Sequence, residues 1–229
     1  MKKTSTFSIL ILCVILLASC KKSDTKADVP PPAKKLKYLT RATQVVGTTT
    51  IFTDYIYDAK KRLISEKTAD SQTNYTYSDD KLFFMEVTIP SSNYKKTTEF
   101  NYNIDGTLAT TDDKVYKSNV LGTESVYTYV VVNGRITERH FGNQITKYSY
   151  DARGNVISSD GSKTYDDKPN IRTNGFPNPS GLLVTPNNLT KSGPAIYTYT
   201  YGADGYPIGS IESGENVQTT KFAYTYTEM

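Results

Sequence analysis

One short pattern governs this chain: two aromatic residues on alternate positions, a turn, and a return to an aliphatic residue. Its clearest copy is Tyr148-Ser149-Tyr150-Asp151-Ala152-Arg153-Gly154-Asn155-Val156. Residues two apart on a strand point to the same face, so Tyr148 and Tyr150 share one side while Lys147 and Ser149 take the other. Asp151 suits the start of a type I turn, and Gly154 suits the left-handed position that closes it. The unit therefore reads as a β-hairpin with a bulge.

Further copies begin at Tyr55-Ile56-Tyr57, Tyr75-Thr76-Tyr77, Phe100-Asn101-Tyr102, Tyr127-Thr128-Tyr129 and Tyr199-Thr200-Tyr201, with a closing Phe222-Ala223-Tyr224-Thr225-Tyr226. Turn glycines recur at Gly106, Gly134, Gly154 and Gly205, where the first two copies have Lys61 and Lys81. The returning aliphatics are Leu63, Leu82, Leu108, Ile136 and Val156, with Pro207 and Ile208 in the Tyr199 copy. Successive copies are about 20 to 27 residues apart, apart from one step of about 51, which is the spacing of a repeat architecture whose units lean on their neighbours.

Most of the chain's 19 Tyr and 8 Phe fall on this alternating face, and Thr76, Asn101, Thr128, Ser149, Thr200 and Thr225 occupy the other. One face is expected to be buried and the other wet. With 37% hydrophobic and 22% charged residues, the chain suits a globular β domain with a tyrosine-rich core. A flat sheet would leave the aromatic face in water. The expected fold is all-β: an antiparallel sheet of consecutive hairpins, curled into a curved strip or half-open roll. Leu36 to Val46 and Thr49 to Tyr57 read as its first two strands.

The N-terminus has another character. Lys2 and Lys3 precede an apolar run from Phe7 to Leu17 that is too short for a comfortable membrane helix, and Leu17-Ala18-Ser19-Cys20 follows. The order of charge, apolar run and small residues before a cysteine resembles the bacterial lipoprotein signal. The resemblance implies a signal peptide at residues 1–19, a lipidated Cys20 and attachment to a membrane, since two or more acyl chains anchor stably. Lys21 in place of Asp after that cysteine implies, by the same resemblance, the outer membrane, with the leaflet open. Residues 20–35, including Pro30-Pro31-Pro32, read as a tether, and residues 36–229 as the β domain. Cys13 would leave with the signal, so no cysteine would remain for a disulfide, a metal or a nucleophile. The formal charge is +4, of which Lys2 and Lys3 belong to the signal, and no long basic block follows; nucleic acid is not an expected partner.

An insertion from about residue 165 to 195 carries Pro169, Pro177, Pro179, Pro186 and Pro194, which oppose a central strand. It is expected to cap the aromatic face.

Tyr150-Asp151-Ala152-Arg153-Gly154-Asn155-Val156 and Tyr57-Asp58-Ala59-Lys60-Lys61-Arg62-Leu63 resemble the YD unit of RHS/YD-repeat proteins. Ser78, Asn103, Val130 and Gly202 replace the Asp in other copies. With the lipoprotein-type signal and the Tyr165-Asp166-Asp167-Lys168-Pro169-Asn170 and Pro186-Asn187-Asn188 segments, the chain resembles bacterial envelope lipoproteins with divergent YD-like repeats. The resemblance covers roughly residues 50 to 229 and implies an all-β domain without a settled activity. Six or seven hairpins are too few for the closed toxin shell of large YD proteins.

No residue pattern singles out a catalytic site, a metal site or a cofactor. His140, the only histidine, reads as an ordinary strand residue. Asp166 and Asp167, with Asn170 nearby, match no EF-hand spacing and read as turn chemistry. Asp79-Asp80 and Asp112-Asp113 read as solvated turns. The expected function is a membrane-anchored, non-enzymatic binding or scaffolding module of the cell envelope, with glycan or an envelope protein as partner. The alternatives are a glycan hydrolase recruiting Asp166 or Asp167, and a lipid carrier built on a half-open roll.

Overall fold

The structure is a computed structural model that describes residues 35–157, 162–181 and 184–229, and within it Lys35–Met229 is one compact unit. Cys20 and the signal and tether segments lie outside the described residues. No α-helix occurs among the described residues. Ten strands follow one another as a meander: β1 (Lys37–Val46), β2 (Thr49–Tyr57), β3 (Leu63–Lys67), β4 (Gln72–Ser78), β5 (Lys81–Ile89), β6 (Tyr94–Tyr102), β7 (Leu108–Lys117), β8 (Val120–Val132), β9 (Arg135–Phe141) and β10 (Gln144–Lys147). A short hairpin follows, β11 (Ser149–Tyr150) and β12 (Val156–Ile157). A second meander completes the chain with β13 (Lys163–Pro169), β14 (Asn187–Ser192), β15 (Ala195–Tyr201), β16 (Pro207–Gly214) and β17 (Val217–Glu228).

The two meanders join where β1 pairs antiparallel with β17, giving one antiparallel sheet of 15 strands among the described residues, with β10 and β13 at its edges. Laid flat, such a sheet would be about 70 Å wide at the usual strand spacing. Its two edges are nevertheless connected through β11–β12. Tyr148 donates its backbone N–H to Thr137 on β9, and the Tyr165 hydroxyl on β13 donates to the carbonyl of Val156 on β12. The sheet therefore curls, and among the described residues no ladder closes it: the half-open roll expected from sequence is the observed fold.

The cause of the curl repeats along the chain. In six ladders the register slips by one residue at the same level, beside Tyr57, Tyr77, Tyr102, Val131, Tyr201 and Tyr226. Each time the partner is the returning aliphatic, and the residue after it is the bulge: Ile64, Phe83, Ala109, Thr137, Ile208 and Thr40 in turn. A bulge bends and twists its strand, so six at one level bend the sheet repeatedly in one place.

These ladders also contain a unit that is split in sequence. Tyr226 on β17 pairs with Leu39 on β1 as Tyr57 pairs with Leu63. The halves of this repeat stand at opposite ends of the domain's sequence and meet in this ladder.

The aromatic face forms the core. Leu82, Phe100, Leu108 and Ile136 are buried among Tyr75, Tyr77, Tyr102, Tyr129 and Tyr148, and Leu39, Tyr55 and Leu63 among Tyr57, Tyr224 and Tyr226. The opposite face is exposed at Thr76, Asn101, Thr128, Ser149, Thr200 and Thr225, although Ile56, Val126, Val130 and Ile196 stand there too.

Three readings need correction. The fourth copy is displaced by one step of the pleat: Val131, not Tyr129, pairs with Ile136, because the valine keeps the parity of the two tyrosines before it. In the second copy Asp79, not Lys81, takes the left-handed conformation, with φ of 53°, because the turn there is two residues long. Asp112 and Asp113 lie in the middle of β7 and not in a turn.

The insertion is also shorter than expected. Its first part is β13, where Pro169 is accommodated at the end of an edge strand, and residues 187–192 form β14. The remaining segment crosses the turn end of the roll. Asn174 donates to the Lys37 carbonyl and to Tyr206, Gly175 accepts from the Leu63 amide, and Phe176 packs on Tyr55 and Tyr57. Ser180 accepts from the Leu108 amide, and Gly181 lies beside Ile136, Tyr148 and Val156. This segment plugs one end of the roll and caps its aromatic face.

Candidate functional site

With one end plugged, access to the inner face lies beyond the plug, toward the far ends of the strands. Period-two alternation brings five neighbouring strands together there. Met85 on β5, Lys96, Thr98 and Phe100 on β6, Thr111 and Asp113 on β7, Tyr127 and Tyr129 on β8, and Arg139 on β9 line a groove of about 320 Å³. The register puts Thr98 opposite Asp113, Phe100 opposite Thr111, Thr111 opposite Tyr127, and Tyr129 opposite Arg139.

The groove changes character along its length. Toward the plug, Phe100 and Thr111 are buried, and the Thr111 and Tyr129 hydroxyls are hydrogen-bonded at 2.9 Å. Burial pushes the Tyr129 phenol above its ordinary pKa, partly offset by that hydrogen bond and by the nearby Arg139 charge. Farther out the lining is charged. Lys96 Nζ lies 2.7 Å from Asp113 Oδ2, and Thr98 Oγ1 donates to Asp113 Oδ1 at 2.7 Å. The Arg139 guanidinium lies over the Tyr127 ring, 5.1 Å from its centroid, and Phe141 packs on the same ring at 5.1 Å. Apolar rings below and paired charges above suit an amphipathic small ligand.

Of the residues considered from sequence, Asp113 faces this groove, and the others lie elsewhere and serve structure. Asp166 accepts from the Lys168 and Asn188 amides, the Asn188 side chain and the Tyr201 hydroxyl. Its carboxylate ties β13 to β14 and β15. Asp167 is exposed and paired with Lys168, whose charge holds its carboxyl below the ordinary range. The Asn170 side chain donates to the Asn187 carbonyl. Nearby, the fully buried Asn155 exchanges hydrogen bonds with Asn187 and donates to Asp151, stitching β12 to the second meander. His140 bonds Glu138 at 2.9 Å, which lowers the pKa of that carboxyl, and both face outward on β9. Asp80 pairs with Lys60 on an exposed turn. Asp112 and Asp113 point to opposite faces of β7: Asp112 is bound by Lys114 outside, and Asp113 faces the groove. No group of three or more His, Cys, Asp or Glu able to hold a metal ion occurs among the described residues.

Lys96, Thr98 and Arg139 were not singled out by the motif, which ends at its first aromatic. Counting back in twos from Phe100 reaches Thr98 and Lys96, and that periodicity is the signal that was available.

No known protein family and no curated protein matches the sequence. Among solved structures the chain is similar to a porin-like protein from Bacteroides vulgatus ATCC 8482, with 13% identity over 85% of this chain and 100% of that one and a TM-score of 0.42. It is likewise similar to a porin-like protein from Bacteroides uniformis ATCC 8492, with 14% identity over 82% of this chain and 98% of that one and a TM-score of 0.39.

Proposed function

We propose that this chain is a lipoprotein of the bacterial cell envelope, held on the outer membrane through a lipidated Cys20, that binds a glycan on the inner face of its roll without chemical conversion. The groove between β5 and β9 carries this reading: rings, hydroxyls and paired charges converge on a space of about 320 Å³. Pockets for small ligands run from about 300 to 1,000 Å³. That space suits a sugar or two better than the long tails of a lipid.

The outward side chains support a roll that hangs from a membrane and does not span it. Arg41 pairs with Asp54 on β1 and β2, Lys114 with Asp112 and Glu124 on β7 and β8, and Lys147 with Glu138 on β10 and β9. On a lipid-facing barrel surface an Arg or Lys costs about 2–4 kcal/mol near the bilayer midplane. Charge distributed over so many strands favours water on that side, with attachment supplied by the lipid.

Two measurements test the two halves of this reading. Globomycin treatment or Cys20→Ser is expected to block processing and shift the protein out of the membrane fraction; unchanged processing and fractionation would remove the anchor. Full-length protein in detergent micelles is expected to retain saccharides on a glycan array. Retention of none would remove the binding role.

A further inference from the structure

Building on the glycan-binding reading, we propose that the groove selects an acidic saccharide, with Arg139 receiving the carboxylate. The charges around the groove carry the argument. Asp113 is answered on both oxygens, by Lys96 at 2.7 Å and by Thr98 at 2.7 Å. Arg139 has no carboxylate partner among the described residues and lies over the Tyr127 ring. Two cations and one anion therefore leave one positive charge unanswered at the outer part of the groove.

The guanidinium lies over the Tyr127 ring and has no hydrogen-bonded acceptor among the described residues, so its N–H groups remain to donate. A guanidinium edge matches a carboxylate in a two-point hydrogen-bonded pair, a geometry Lys does not reproduce. Beside it stand the surfaces a sugar ring uses. The half-buried Tyr127 and Tyr129 offer aromatic carbon to the ring's C–H groups, and the Tyr129 hydroxyl offers a polar contact to its own. A bare carboxylate would use only the arginine, and a neutral sugar only the rings and that hydroxyl.

The test is calorimetric titration of the processed full-length protein in detergent micelles with digalacturonic acid, neutral galactobiose and acetate. The acidic disaccharide is expected to bind at least about tenfold more tightly than the neutral one, with affinity falling as salt rises. Arg139→Gln is expected to erase that preference. Asp113→Asn, which removes the one negative charge, is expected to strengthen acid binding, a gain that mere structural damage would not produce. Circular dichroism of both variants checks that the sheet is intact.

Equal affinity for the two disaccharides would overturn the acid selectivity and leave the glycan-binding role standing. Acetate binding as tightly as digalacturonic acid would overturn the saccharide part. Acid binding indifferent to both substitutions would overturn the assignment to this groove. Failure of both disaccharides here, with other saccharides retained on the array, would overturn the acidic ligand alone; failure in both assays would remove the glycan-binding role as well.

Discussion

In four units the second tyrosine has two roles. Its ring packs in the core, and its hydroxyl reaches the preceding unit. Tyr57, Tyr77, Tyr102 and Tyr150 donate to the carbonyls of Leu39, Leu63, Leu82 and Ile136, at 2.8, 2.8, 2.7 and 2.5 Å. Those carbonyls stand immediately before a bulge, where ladder pairing is interrupted and a backbone acceptor needs another donor. A cation completes several contacts: Arg62 lies over Tyr77, Lys81 over Tyr102 and Arg135 over Tyr150, at 4.4, 5.3 and 5.4 Å. Tyr77→Phe removes one such rung and is expected to lower unfolding stability by about 0.5–1.5 kcal/mol in a urea titration. Burial pushes the Tyr77 and Tyr102 phenols up to about 12. Because these groups release protons in the unfolded chain near pH 10 but not yet in the folded one, their contribution is complete below pH 10 and falls away between about pH 10 and 12. Midpoints measured across that window are expected to decline, and less steeply when Tyr77 and Tyr102 are both Phe. The rungs were partly legible: alternation marked the rings, but a hydroxyl's partner one hairpin away leaves no local trace. Where Val131 replaces the tyrosine, the missing hydroxyl coincides with the misplaced register.

At the scale of elements, the plug was the least legible part. Its sequence of Asn, Gly and Pro names no partner, because it docks largely through backbone groups and short side chains. Gly175 shows how tightly it fits. Its φ is +78°, and an added Cβ would lie 2.6 Å from the Lys61 carbonyl and 2.6 Å from the Tyr57 ring. Gly134 has a similar φ, +75°, but nothing within 4 Å of an added Cβ. Gly134→Ala is therefore expected to cost only the left-handed strain, about 1–2 kcal/mol, whereas Gly175→Ala adds displacement of the plug and is expected to cost more than about 3 kcal/mol. Denaturant titrations of the two variants check the difference; equal losses would mean the plug yields freely.

For the whole molecule, the all-β class and the rolled sheet followed from the repeat, whereas the order of assembly did not. Tyr226 and Leu39 each look like half of a unit, yet nothing nearby in sequence shows that they complete one another. Removing residues 217–229 is expected to uncouple the two meanders and abolish a cooperative urea transition monitored by circular dichroism. Ile145→Lys, on the exposed edge strand β10, is expected to change stability by less than about 0.5 kcal/mol. The junction of β1 with β17 also sets a clock. The ribosome releases β17 after both of its neighbours in the sheet, β1 and β16. Until it arrives, the earlier strands lack their central clasp, and a pairing between such distant parts of a chain forms slowly. Such a polypeptide stays pliant through most of its own manufacture, a delay that suits the envelope destination proposed for it.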